Sequence, residues 1–260
     1  MSAALVLGSV ALFFFTVTRG ALIARGVGKV FFGVLPRADG HVYPIYSNMR
    51  LIRLVDFQPI IAAILLFQYD RLVSTITQRL RRSELRGQPV LITSCAFGNV
   101  MPRVVKAALG AGASEVQIID IIENELLNAQ RKLQPYAGRL AFHQQDANTL
   151  QLPDASVAAN VLFFLLHELP HELKGQVLKE AVRVLAPGGT LYLAEFHKPD
   201  PWVLRTLSWA YFKVFEPLGL ALWSTHDPLR QLEAMGGLHC ERRTLFFGNF
   251  QVITATKLRA

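Results

Sequence analysis

Asp120 closes the apolar run Val116-Gln-Ile-Ile, Gln145-Asp146-Ala147 follow the run from Leu140, and His167-Glu168 follow Leu162-Phe-Phe-Leu-Leu. Cys95-Ala-Phe-Gly98 forms a short loop after an earlier run, Val90-Leu-Ile-Thr-Ser94. A carboxylate at a strand end can accept charge-assisted hydrogen bonds from hydroxyls or cations. An imidazole beside a carboxylate can hold and move a proton. Each position also has a plainer reading. A strand-ending acid is often a helix cap, His167-Glu168 can cap the helix that follows, and Cys95 can be a small loop filler. His143, His171, His197, His226 and His239 show no ligand spacing.

The runs that carry these residues alternate with helices. Strands are expected at Val90–Ser94, Val116–Asp120, Leu140–Gln144, Val157–Leu166 and Thr190–Phe196, the last entered through a Pro187-Gly-Gly189 turn. Helices are expected at about Pro102–Leu109, Asn124–Leu133 and Glu172–Leu185. Short apolar strands alternating with helices predict a parallel sheet wrapped by helices. The chain closes differently, with strand-like runs between Thr244 and Thr256 joined by Gly248-Asn249, a hairpin signal. In open sheets of this kind ligands bind beyond the carboxyl ends of the strands, where Cys95, Asp120, Asp146 and His167 fall.

At 260 residues, with 52% apolar and only 18% charged residues, disorder and coiled coil are excluded. Two cysteines, Cys95 and Cys240, exclude a disulfide framework and a Cys-built zinc site. The mean hydropathy, +0.30, calls for lipid or a greasy ligand against part of the surface. Met1–Thr18 carries no charge, and Arg19, Arg25 and Lys29 follow it. That pattern predicts an N-terminal membrane anchor or interfacial helix, with the remainder at the cytoplasmic face of the membrane. A buried helix is the plainer alternative. The net charge of +8 admits nucleic acid or an anionic membrane. No nucleic-acid module accompanies Arg79, Arg81, Arg82 and Arg86, so no nucleic-acid partner is expected. Ile60–Phe67 reads as a greasy helix, and Leu207–Trp223 as an amphipathic or kinked one. The expected organisation is a hydrophobic segment 1–40, a helical substrate-side lid 41–88 and an α/β domain 89–260.

Asp120, Gln145-Asp146-Ala147, Leu152-Pro-Asp-Ala-Ser156 and Arg183-Val-Leu-Ala-Pro-Gly-Gly-Thr-Leu191, in this order before a closing hairpin, resemble the class I S-adenosylmethionine-dependent methyltransferases. The resemblance implies a Rossmann-like α/β fold with a mostly parallel seven-stranded sheet. It also implies that Asp120 binds the cofactor's ribose and Asp146 lies on the adenine side. The glycine loop departs from that pattern. Ile92 stands where the superfamily has an acid, Ser94 and Ala96 stand for two glycines, and Gly98 alone remains.

Cys95-Ala-Phe-Gly98, Asn128-Ala-Gln-Arg-Lys-Leu133, Leu162-Phe-Phe-Leu-Leu-His167-Glu168, Glu195-Phe-His197-Lys-Pro199 and Phe215-Glu216-Pro217 resemble, more narrowly, the rhodoquinone biosynthesis (RquA) family, over residues 46–257. Its aromatic cluster is thinned here to Tyr43 and Tyr46, and Val157-Ala158 replaces its Phe-Asp. This resemblance implies conversion of ubiquinone, a lipophilic substrate, to rhodoquinone, an amino group from S-adenosylmethionine replacing a ring methoxy group with manganese assisting. It further implies cofactor contacts from Cys95, Phe97, Gly98, Asp120, Ile121, Gln145, Asp146, Ala147 and Phe164. Asp146, His167 and Glu168 are the implied metal ligands; Asp146, His167 and Tyr69 are the implied catalytic residues. The missing acid at Ile92 suits a cofactor amino group left free to act as a nucleophile. The alternatives are a conventional methyltransferase on a quinone or other lipophilic substrate, and a catalytically silent membrane-associated relative.

Overall fold

A computed structural model describes Tyr46 and residues 48–259. The expected segment 1–40 and Tyr43 lie outside the described residues. Strands β1 (Val90–Thr93), β2 (Val116–Asp120), β3 (Leu140–Gln144), β4 (Val157–Phe163), β5 (Leu185–Phe196), β6 (Leu238–Leu245) and β7 (Phe250–Lys257) form one seven-stranded sheet, in the order β3-β2-β1-β4-β5-β7-β6. β1 to β5 run parallel, and β7 pairs antiparallel with β5 and β6. The expected Rossmann-like architecture and closing hairpin are both present.

Burial explains the composition of each strand. β1 and β4 are buried on both faces and are correspondingly apolar, except for Thr93 and Asn160, whose side chains bond each other at 2.8 Å. The edge strand β6 alternates half-buried with exposed residues and carries Glu241, Arg242 and Arg243. Alternate residues of β1 serve opposite faces: Val90 and Ile92 enter one core cluster, Leu91 the other. The first cluster is closed by α3 (Tyr69–Arg81), α4 (Val100–Gly110) and α5 (Glu123–Leu133). The second is closed by α6 (His171–Arg183) and α8 (Pro228–Met235).

Two expectations need correcting. β4 ends at Phe163, because Phe164 turns left-handed (φ 56°) and Leu166–Glu168 form a 3₁₀ turn. Pro187-Gly188-Gly189 is not a turn ahead of β5 but an irregularity within it, where the β4 register shifts between Val157 and Ala159. A side chain at Gly189 would meet backbone oxygens of Ala186, Ala158 and Val157 at 2.8 to 3.2 Å.

Ahead of the sheet, α1 (Met49–Val55) and α2 (Gln58–Ile64) precede α3. α2 and α3 meet at a 97° bend in which Leu66 and Phe67 adopt positive φ. Among the described residues no single helix is long and apolar enough to cross a membrane. The kink expected in Leu207–Trp223 falls at Glu216, between α7 (Trp202–Phe215) and a 3₁₀ segment, Pro217–Trp223.

Candidate active site

Three adjoining cavities open beyond the carboxyl ends of the strands. A polar cavity of about 250 Å³ is lined by Cys95, Asp120, Ile121, Gln145, Asp146 and Ala147, with Glu125 and Glu168 completing its acidic wall. A central cavity of about 330 Å³ shares Tyr46, Ser94, Cys95 and Glu168 with it and adds Phe97, Phe164 and His167. An apolar cavity of about 360 Å³ continues from the central one through Ile64, Phe196 and Tyr211.

The polar cavity takes its shape from the turn after β1. Ser94 holds φ +72°, a conformation costly for a side-chain-bearing residue, so the backbone path of a glycine survives the substitution. Oδ2 of Asp120 accepts from the Cys95 N–H at 2.7 Å and Oδ1 from the Ile122 N–H at 2.8 Å. Burial pushes the Asp120 carboxyl upward, and those two N–H donors work against the rise. Asp146 Oδ1 accepts from the Asn148 N–H at 3.0 Å, closing a tight turn after β3. Ile121 keeps 45% of its surface exposed beside Asp120, an apolar face for a planar base. Burial raises the Cys95 thiol well above its ordinary range, so it is no ready thiolate.

The central cavity contains a buried proton-holding group. His167 Nδ1 lies 3.1 Å from Glu195 Oε1, and the His167 N–H donates to Glu195 Oε2 at 3.2 Å. Burial alone would lower the imidazole, but Glu195 outweighs it and lifts His167 to about 9. Its other nitrogen, Nε2, is 3.9 Å from Glu168 Oε1. Glu168 accepts a 2.6 Å hydrogen bond from the Tyr46 hydroxyl. Burial raises Glu168 to about 7, against the lowering effect of His167. Lys174, wholly buried, donates from Nζ to the carbonyls of Leu166 and Leu169 and so fixes the turn carrying His167 and Glu168. Phe196 meets His167 edge-on at 5.0 Å and Phe164 at 4.9 Å, giving the cavity an aromatic wall.

Several expected residues are therefore placed together, and others are not. Cys95, Asp120, Ile121, Gln145, Asp146 and Ala147 line the polar cavity; Phe97, Phe164 and His167 line the central one. Tyr69 lines neither. Its hydroxyl donates to the Phe97 carbonyl at 2.9 Å and accepts from the Val100 N–H at 2.7 Å, so it holds the loop rather than a substrate. Gly98 also stands behind the wall, where a Cβ would lie 2.5 Å from the Tyr69 hydroxyl oxygen.

The metal expectation fails on the donor set. Among the described residues no cluster of three or more His, Cys, Asp and Glu side chains could hold a metal ion. Asp146 lines the polar cavity and His167 the central one, so the three expected ligands do not converge on one point. Manganese does not fit Asp146, His167 and Glu168 as they stand. S-adenosylmethionine does fit the polar cavity, whose acidic residues suit hydroxyls and a cation, and where buried Glu125 keeps an unpaired Oε1.

Residues 90–189 match the family of methyltransferase domains. These residues form a methyltransferase domain of the class I S-adenosylmethionine-dependent kind.

The chain is 30% identical over 161 residues to the ubiquinone/menaquinone biosynthesis C-methyltransferase UbiE of Methylobacterium nodulans. It is 32% identical over 163 residues to UbiE of Azotobacter vinelandii. These matches span 61% and 62% of this chain, and only 62% and 63% of the relatives' own lengths. An O-methyltransferase family protein from Burkholderia thailandensis superposes with a TM-score of 0.65 at 14% identity, covering 95% of this chain and 70% of that one. A SAM-dependent methyltransferase from Aquifex aeolicus gives 0.51 at 19% identity, covering 72% and 89%. At such identities the two structures bear on the fold alone.

Four groups escaped the sequence reading as site residues: Tyr46, Glu125, Glu195 and Tyr211. Glu195 did leave a signal, a lone acid in the apolar strand Leu191-Tyr-Leu-Ala-Glu-Phe196. Glu125 left one too, since it lies on the buried face of α5 with Leu126, Asn128, Ala129 and Leu133. Tyr46 and Tyr211 reach the cavities only through the packing of α1, α2 and α7, which no spacing encodes.

Proposed function

We propose that the protein is an S-adenosylmethionine-dependent transferase acting on a quinone with a long apolar tail, at a membrane surface. The observation that carries this reading is that the three cavities adjoin in turn: one walled by acids set among apolar residues, one by aromatic rings, and one almost wholly apolar. The polar one suits the cofactor, the aromatic one a quinone ring, and the apolar one a polyisoprenoid tail. UbiE relatives, named for ubiquinone and menaquinone biosynthesis, support the substrate class. Phe67 and Trp209, each beside residues of the apolar cavity, stay 71% and 49% exposed, which suits entry from lipid at the cytoplasmic face.

When bound, S-adenosylmethionine supplies the transferred group. Asp120 accepts from the ribose hydroxyls, and Ile121 packs against the base. His167, protonated at neutral pH through Glu195, donates a hydrogen bond to a ring carbonyl and draws electrons from the carbon under attack. That role is electrophilic and needs no metal. Glu168, near neutrality in its titration, takes up the proton released in the transfer.

Within this reading we favour replacement of a ring methoxy group by an amino group, as the resemblance to the rhodoquinone biosynthesis family implies. Support comes from Ile92, an apolar core residue at the glycine-loop acid position. The second reading, methyl transfer to the ring, is favoured by the UbiE likeness. Expression in a ubiquinone-making methionine auxotroph fed ¹⁵N-methionine separates them, with extracted quinones read by mass spectrometry. A ¹⁵N-labelled aminoquinone supports the first reading. An added methyl group supports the second, and an unchanged quinone pool would sink both.

A further inference from the structure

Glu125 lies one helical turn past the end of β2, only 3% exposed, and lines the polar cavity beside Asp120. Its Oε1 has no hydrogen-bond partner among the described residues. Leaving a buried polar atom unpaired costs roughly 1–3 kcal/mol, more for a charged group, so a carboxyl here is a poor choice for packing. A methionine of similar volume would fill the space without that cost. The acid makes sense if something that enters the cavity uses it.

The charges around Glu125 define what that is. Asp120 on β2, Asp56 after α1 and Glu168 on the 3₁₀ turn all oppose its ionisation, and Lys132 on its own helix favours it. The Cys95 thiol, the Tyr46 hydroxyl and the Asp146 carboxyl share the cavity wall. Burial, with Asp120 next in weight, pushes the Glu125 carboxyl up to about 8. Lys132 is already engaged with Asp56 at 2.6 Å and with the Ala96 carbonyl. Among the described residues the cavity wall is thus short of positive charge.

We propose that Glu125 is the acceptor for the cationic aminobutyrate end of the nucleoside cofactor, and that it ionises when the cofactor binds. The inference rests on the reading of the polar cavity as the cofactor site. In the free protein at neutral pH the carboxyl is mostly protonated. On binding, its O–H breaks, the proton passes to solvent, and the carboxylate accepts an N⁺–H hydrogen bond from the ligand's ammonium group. Where that nitrogen is to attack the ring, the same carboxylate takes its proton and leaves the amine its lone pair. Proton release on binding is the signature of this exchange, and it has no counterpart for a neutral nucleoside.

Isothermal titration calorimetry on the full chain, in buffers of different ionisation enthalpy, tests this with two ligands: S-adenosylmethionine and 5′-methylthioadenosine, which lacks the aminobutyrate chain. Wild type should release nearly one proton with S-adenosylmethionine at pH 7, far less at pH 9, and none with methylthioadenosine. Glu125→Gln should abolish the release and weaken S-adenosylmethionine roughly tenfold, the scale of one lost charge-assisted hydrogen bond, while methylthioadenosine binds as before. Glu125→Met should do the same and guards against a peculiarity of the amide. Equal affinities and equal proton release in wild type and variants would overturn the proposal alone. So would a parallel loss of both ligands, which marks a structural role. Failure of wild type to bind either nucleoside would overturn the cofactor reading, and this inference with it.

Discussion

Nδ1 of His167 sits 3.1 Å from Oε1 of Glu195, a carboxylate with no solvent exposure at the end of β5. Glu195 lies in β5, and His167 on the 3₁₀ turn that follows its parallel neighbour β4, a turn held by Lys174. The turn supplies the imidazole and the strand the anion that keeps it charged. This pairing sets a positive charge in the wall of the central cavity.

Glu195→Gln should therefore uncouple His167 from its charge. The imidazole titration, about 9 in the wild type, should drop markedly, because burial is then opposed only by the weaker pull of Glu216 and Glu168. Two-dimensional NMR of the imidazole resonances reads this directly. Turnover in the variant should fall away at a lower pH than in the wild type. A variant whose His167 still titrates near 9 would show that Glu195 is not the cause.

Glu168 gives a stability signature. Its folded value, about 7, stands above the ordinary 4.5, so its contribution is whole below about 4.5 and is lost as pH climbs through 7. Glu125, raised to about 8, acts in the same direction. Thermal melts of Glu168→Gln and wild type should nearly coincide at pH 4.5 and separate by pH 7.5, the variant melting higher. Lys174, lowered to about 8, acts oppositely but only on the alkaline side, outside that window. A constant difference in melting temperature across the window would remove Glu168 from the ionising set.

The sheet was legible in the sequence because central strands must be apolar on both faces and edge strands need not be. That contrast located β1 to β4 within a residue or two, apart from the end of β4. The Pro187-Gly-Gly189 irregularity was not legible, since proline and glycine usually mark a turn and only the close β4 backbone explains them here. In the site, strand-end positions announced Asp120, Asp146 and His167. The partners that decide their chemistry, Glu195 and Tyr46, are 28 and 122 residues distant from the groups they bond. Tyr69 was misread for the same reason: its sequence neighbours are a greasy helix, but its hydroxyl meets a loop 28 residues away.

Gly98→Ala should be severe for so small a change. The position has φ +74°, which costs a side-chain-bearing residue roughly 1–3 kcal/mol, and the new Cβ would lie 2.5 Å from the Tyr69 hydroxyl oxygen. Urea denaturation should show a loss of about 2 kcal/mol or more. Tyr69→Phe alone should also destabilise, since two hydrogen bonds to the loop vanish. An unperturbed midpoint for Gly98→Ala would mean that the loop relaxes freely.

Ala63 lines the apolar cavity and offers a way to fill it without touching the charged groups. Ala63→Phe should raise KM for a long-tailed quinone by about an order of magnitude, in keeping with the loss of several buried methylenes at ~0.8 kcal/mol each. Turnover of a tailless quinone should be unchanged. Equal effects on both substrates would place the tail elsewhere.

The contacts around the loop after β1 carry a consequence for how this protein can be divided. Asp56 accepts from the Gly98 N–H at 2.8 Å, Gln58 from the Asn99 N–H at 3.1 Å, and Tyr69 from the Val100 N–H. Three successive amides at the mouth of α4 thus have their acceptors on residues that precede the sheet. The family likeness begins at residue 90, yet the cooperative unit begins earlier. A recombinant fragment starting at that boundary would expose those amides and unseat the loop. Grafting another relative's helices onto this sheet would succeed only if the donor brought matching acceptors at all three places. The modular seam of this protein, for engineering or for exchange between relatives, lies upstream of Asp56.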